Sequence, residues 1–62
     1  MDAYRNGWTA KIGDPVIYDR DDSRGIVVWL EGDGEARVMW NDGGYSDVPI
    51  SHLDLAAERV RW

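Results

Sequence analysis

Residues 24–50, RGIVVWLEGDGEARVMWNDGGYSDVPI, leave this chain few folding options. Three runs rich in β-branched and aromatic residues are separated by two short breaks rich in Gly, Asp and Asn. Such runs bounded by turn residues read as strands, and breaks this short can only join antiparallel neighbours. The first strand is expected over residues 25–31, the second over 35–40 and the third over 45–50. Asp33-Gly34 predicts a type I′ hairpin turn, which requires φ > 0 at both central residues. Asn41-Asp42-Gly43-Gly44 supplies the second turn.

Side chains alternate across a strand, so Ala36, Val38 and Trp40 share one face while Arg37 and Met39 share the other. Arg37 marks the second face as the wetter one, and Val38 should therefore point into the core. The run Ile26, Val27, Val28, Trp29 is apolar on both faces. One of Val28 or Trp29 must then lie under another element or at an exposed site.

The flanks extend the pattern. Gly13-Asp14-Pro15 is a turn into a strand at Val16-Ile17-Tyr18, with Pro15 at a first-residue position that needs no ladder donor. Residues 19–23, DRDDS, form a solvated loop of ordinary hairpin length. Residues 1–11 show no period and read as a frayed terminus anchored by one aromatic, Trp8. After Pro49, Ser51 and Asp54 stand at capping-box spacing. Two continuations compete. Leu53, Ala56, Ala57 and Val60 repeat at helical spacing, whereas a single helical turn over residues 51–53 would lead into a last strand with Leu55 buried. The second is preferred, because a fifth strand covers an edge that four would leave open. The expectation is an all-β, five-stranded, strongly bent barrel over residues 13–62 with one short helical turn before the last strand, preceded by an N-terminal tail of residues 1–12.

Composition narrows the chemistry. At 62 residues and with no Cys, the domain has neither disulfide nor thiolate-bound metal to staple it, and it must be held by packing. Four Trp and three Tyr, with no Phe, supply large side chains for a small core or for a ligand surface. The net charge of −5, twelve acids against seven bases, argues against a phosphate-gripping protein, whose footprint is a basic patch. No apolar run approaches 18 residues, and MDAYRNGWTAKIG has no apolar h-region, so a cytoplasmic protein is expected.

The motifs Gly13-Asp14-x-Val16, Gly25-Ile26-Val27, Val38-x-Trp40-x-Asp42-Gly43 and Asp47-Val48-Pro49-Ile50 with Leu53 resemble, in order and spacing, the SH3-like barrels of the Tudor and KOW type. The resemblance implies a five-stranded barrel with a single helical turn before strand five. It also implies an aromatic cage for methylated Lys or Arg, two of whose places match Tyr18 and Trp40. The other two fall near Ser23 or Arg24 and at Gly43, none of them aromatic; Tyr45 lies two residues beyond. KOW-type relatives touch RNA or a polymerase. The Gly-Asp-x-Val opening and a Pro followed by Leu are also similar to the plasmid-borne type II dihydrofolate reductases. Their Val-Gln-Ile-Tyr segment is replaced here by Tyr45-Ser46-Asp47-Val48, so that activity is not expected.

His52 has no second His, no Cys and no nucleophile at a catalytic spacing, and reads as a surface or capping residue. Asp19, Asp21 and Asp22 lack the Gly and distal Glu of an EF-hand loop and read as solvated charge, as do Glu31, Asp33 and Glu35. No catalytic residue, metal site or cofactor is expected. The aromatics remain. Trp29 and Trp40 serve either as core or as surface, while Tyr18 and Tyr45, beside polar loops, are expected to be exposed. The expected function is a small non-enzymatic protein-binding module on the strand 1–2 and 3–4 loops, using Tyr18, Trp29, Trp40, Asp42, Tyr45 and Asp47. Ring faces and carboxylates suit a basic or Arg-bearing partner. The alternatives are a KOW-like nucleic-acid-associated regulator using Arg20, Arg24, Arg59 and Arg61, and a phage or mobile-element structural or assembly protein whose copies pair at their edges.

Overall fold

The computed structural model describes residues 2–56. Five strands follow in order: β1 Pro15–Tyr18, β2 Arg24–Leu30, β3 Glu35–Trp40, β4 Tyr45–Pro49 and β5 Leu53–Leu55, with one 3-10 turn at Ile50–His52 before β5. All pairings are antiparallel and the strand order is β4-β3-β2-β1-β5. Among the described residues there is no α-helix, and β4 and β5 are the two ends of a sheet that does not close.

One face of the sheet carries the core. Val16, Val27, Val38, Ile50 and Leu53 are fully buried, and Ala36, Val48 and Leu55 join them. The alternation anticipated in β3 holds: Ala36 and Val38 point inward while Arg37 and Met39 point out. The double-sided β2 resolves through a bulge. The register with β3 shifts between Val27 and Trp29, leaving Val28 unpaired. A bulge resets the phase of a strand. Thus Gly25 and Val27 face inward before it, and Trp29, 57% exposed, faces outward after it.

The β2–β3 connection differs from the expected type I′ turn. Gly32 (φ 87°) and Gly34 (φ 92°) take the positive angles, and Asp33 between them does not. Glycine enters that region without steric cost, so two glycines flanking an Asp relieve it of the need. The resulting loop, residues 32–34, is closed by the Glu31 N–H donating to the Glu35 carbonyl at 2.9 Å. The Asp33 carboxylate accepts from the Glu35 N–H at 3.2 Å.

The 3-10 turn starts at Ile50 with Pro49 at its N-cap and no side-chain cap, so the Ser51–Asp54 capping box does not form. Ser51 sits inside the turn, one residue past its start, and not at the N-cap. Leu53 and Leu55 are both buried strand residues, as the preferred continuation requires. Ala57 and Val60 of the helical alternative lie outside the described residues.

Residues 2–10 are not frayed. Ala3 bridges Thr9, and the Tyr4 N–H donates to the Trp8 carbonyl at 2.8 Å. Tyr4 is the deeply buried aromatic of this stretch: it is 3% exposed against 45% for Trp8. A Tyr can be buried whole when its hydroxyl finds a partner, and here it donates to the buried Asp14 carboxylate. Asp14 also accepts the Lys11 N–H at 2.9 Å, while its own carbonyl accepts the Val27 N–H at 2.9 Å. The Gly13-Asp14 motif is therefore the joint between arm, β1 and β2.

Candidate functional site

Register decides which side chains meet. On the outer face, Ile26 of β2 pairs with Met39 of β3, and Met39 pairs with Tyr45 of β4. The neighbouring row is Trp29, Arg37 and Asp47. Cross-strand partners lie about 5 Å apart. The two rows therefore make one continuous surface over β2, β3 and β4. Ile26, Trp29, Met39 and Tyr45 are all among the exposed large apolar residues, Tyr45 the most open at 61%.

Arg37 stands in the middle of this surface. Its Nε donates to Asp47 Oδ1 at 2.9 Å and its Nη2 to Oδ2 at 3.3 Å, a two-point clasp; Glu31 lies 3.8 Å away on the other side. The hydrogen bond from Arg37 holds the Asp47 carboxyl below its ordinary value, and the same bond raises the guanidinium. A shallow depression at the outer margin is lined by Arg37, Tyr45, Ser46 and Asp47.

Tyr18 and Trp40 belong to the other face. Each has the inward phase of its strand, and both pack against the margin of the core. Their rings lie 5.7 Å apart, tilted by 40°. Gly25 opposite Trp40 makes room for that ring: a Cβ there would lie 2.9 Å from Trp40 Cε3 and 2.6 Å from the Met39 carbonyl oxygen. A small hollow beside Trp40 is lined by Ser23, Arg24, Asn41 and Asp42. Neither Ser23 nor Arg24, which line this hollow beside Trp40, adds an aromatic ring to the Tyr18–Trp40 pair.

The six residues singled out from the sequence are therefore divided. Tyr18, Trp40 and Asp42 stand at the inner margin, and Trp29, Tyr45 and Asp47 on the outer face. Ile26, Met39, Arg37 and Glu31 were missed as members of that face. The alternation of β3 already paired Arg37 with Met39 on the wet side; Ile26 and Trp29 needed the bulge, which has no local sequence mark.

His52, Asp19 and Asp21 make local contacts away from this surface. His52 Nδ1 lies 2.9 Å from Asp19 Oδ2 across the surface. Asp21 accepts the Ser23 N–H at 3.0 Å, and that backbone bond lowers its pKa. Compared with protein-family models, curated proteins and solved structures, the chain matches none.

Proposed function

We propose that this chain is a small, non-catalytic protein-binding module that presents the outer face of β2, β3 and β4 to its partner. One observation carries the reading: register gathers four exposed large apolar side chains, Ile26, Trp29, Met39 and Tyr45, around a single ion-paired arginine. Scattered apolar residues are normal on a surface, but a contiguous set rimmed by charge marks an interaction site. Trp and Tyr are also the residues that dominate binding energy when desolvated. Net charge of −5, with Glu31 and Asp47 on this face, favours a basic partner.

The SH3-like barrel belongs to the same proposal. It is supported by the strand order, the bulge that bends β2 and the single 3-10 turn between β4 and β5.

The test is a pull-down with the full chain, split into nuclease-treated and untreated halves, beside a Trp29→Ala/Tyr45→Ala variant of unchanged melting temperature. A partner that survives nuclease and is lost in the variant is the expected result. Truncating such anchors costs about 2 kcal/mol or more each. A partner lost with nuclease would replace this reading with the nucleic-acid one. For that alternative, Arg20 and Arg24 have no ion pair among the described residues, and Arg59 and Arg61 lie outside them.

A further inference from the structure

The two edges of the sheet are treated differently. At β5, the N-terminal arm occupies the outward peptide groups. The Arg5 N–H donates to the Leu53 carbonyl at 2.7 Å. The Asn6 side chain copies a strand partner, its Nδ2 donating to the Leu55 carbonyl at 3.1 Å and its Oδ1 accepting the Leu55 N–H at 3.2 Å. Arg5 then clamps Asp54 through Nε at 3.1 Å and Nη2 at 2.6 Å. This edge cannot take another strand.

At β4 nothing comparable is found among the described residues. The Trp40 N–H donates to the Gly44 carbonyl at 2.7 Å, which fixes the phase of the β3–β4 ladder. Hydrogen-bonded and non-hydrogen-bonded pairs alternate in an antiparallel ladder. Ser46 and Val48 therefore bond to Val38 and Ala36, and the peptide groups of Tyr45 and Asp47 turn outward. Pro49, which has no N–H, falls at a position where the ladder needs none. An edge left with outward N–H and C=O groups is a template for strand addition unless it is blocked.

Resting on the protein-binding reading, we propose that the free edge of β4 takes an extended, basic segment of a partner protein as a sixth strand. Main-chain bonds to Tyr45 and Asp47 hold the segment. Its outward side chains continue the outer face past the Tyr45 ring and the Asp47 carboxylate, over the depression lined by Arg37 and Ser46. Charge selects the occupant. Glu31 and Asp47 on this face and Asp42 in the preceding turn outnumber Arg37, and the whole chain carries −5. A second copy is disfavoured by the same charge. A twofold pairing centred on Asp47 also sets like carboxylates directly opposite, which is destabilising.

The test is amide NMR of the full chain with two capped probe peptides, Thr-Arg-Val-Arg-Thr-Val and Thr-Glu-Val-Glu-Thr-Val. The basic peptide is expected to bind saturably and to slow solvent exchange of the Tyr45 and Asp47 amides by about tenfold or more. The acidic one should bind at least about tenfold more weakly. Ser46→Lys, which leaves the ladder intact and places a cation on the edge, should weaken the basic peptide by a similar factor. Asp47→Pro, which removes an outward donor, should abolish the protection. Equal binding of both peptides, or no binding of the basic one, would overturn the proposal. So would protection that grows with protein concentration in the absence of peptide, the mark of a second copy. Shifts at the Trp29 indole and Tyr45 ring with both amides unprotected would overturn the edge inference and leave the face reading standing. Protection retained in Trp29→Ala/Tyr45→Ala would do the reverse.

Discussion

Gly34 and Gly25 are required for opposite reasons. Gly34 has a φ of 92° and open space around its missing Cβ, so only the backbone angle demands glycine. Gly25 has an ordinary φ but no room: its Cβ would meet the Met39 carbonyl oxygen and Val38 Cγ1, both at 2.6 Å. Gly34→Val should cost about 1–2 kcal/mol, the penalty for an L-residue in the left-handed region. Gly34→Asn should cost clearly less, since Asn tolerates that region. Thermal melts separate the two at about 4–8 °C per kcal/mol for a domain this small; equal melting temperatures would refute the backbone account. The Tyr4–Asp14 bond yields a second expectation. Tyr4→Phe keeps the ring but takes one donor from a buried carboxylate, which should lower stability by about 1.5–3 kcal/mol in urea unfolding. An unchanged midpoint would mean that Lys11 and the other neighbours of Asp14 suffice. Of these positions, the sequence disclosed the need for positive φ at Gly34. It did not disclose Tyr4, because a tyrosine in an aperiodic stretch carries no sign of the distant carboxylate that buries it.

The strands were readable because their signal is local: β-branched runs, period-two alternation and glycine-rich breaks all act within a few residues. The elements that escaped are those set by distant partners. The β2 bulge exists because Trp29 pairs with Arg37 on the wet face while Val27 must stay in the core. The arm exists because Arg5 and Asn6 complete the open side of β5, 49 residues away in sequence for the pairs to Asp54 and Leu55. The candidate site was half legible for the same reason. Tyr45 and Asp47 follow from β4 alone, whereas their separation from Tyr18 and Trp40 requires the phase of every strand between them. At this scale the arm makes a prediction. Asn6→Ala removes both bonds to Leu55 and should cost about 1–3 kcal/mol at about 0.5–1.5 kcal/mol per bond. It should also open the β5 edge, so the Leu55 amide should exchange faster while Val38 and Val27 stay protected. Uniform loss of protection would show that the arm is part of the cooperative core and not a cover for one edge.

For the molecule as a whole, the charges act in two directions as pH falls. Protonating acids relieves the self-repulsion of a chain with net charge −5. It also discharges carboxylates that the fold holds ionised. Asp47 and Asp21 both lie below the ordinary value of 3.8 in the folded chain, Asp47 through the Arg37 hydrogen bond and Asp21 through the Ser23 N–H. The sign follows from linkage. A carboxyl with a depressed folded pKa binds fewer protons folded than unfolded. Its stabilisation is complete above the unfolded value and is lost as pH drops through the folded one. Both side chains are exposed, so each share is small and screened by salt. Urea midpoints taken from about pH 6 to about pH 2 should therefore fall on the acid side with a slope that shrinks in Asp47→Asn. The variant itself should be slightly less stable than the parent near neutrality and indistinguishable from it at the acid end. Added salt should narrow the gap at neutrality. If the Asn variant follows the same slope as the parent, the Arg37–Asp47 clasp contributes nothing to folding. The pair would then act only through what it presents on the outer face: a guanidinium clasped to Asp47 beside the β4 edge where the partner strand is proposed to bind.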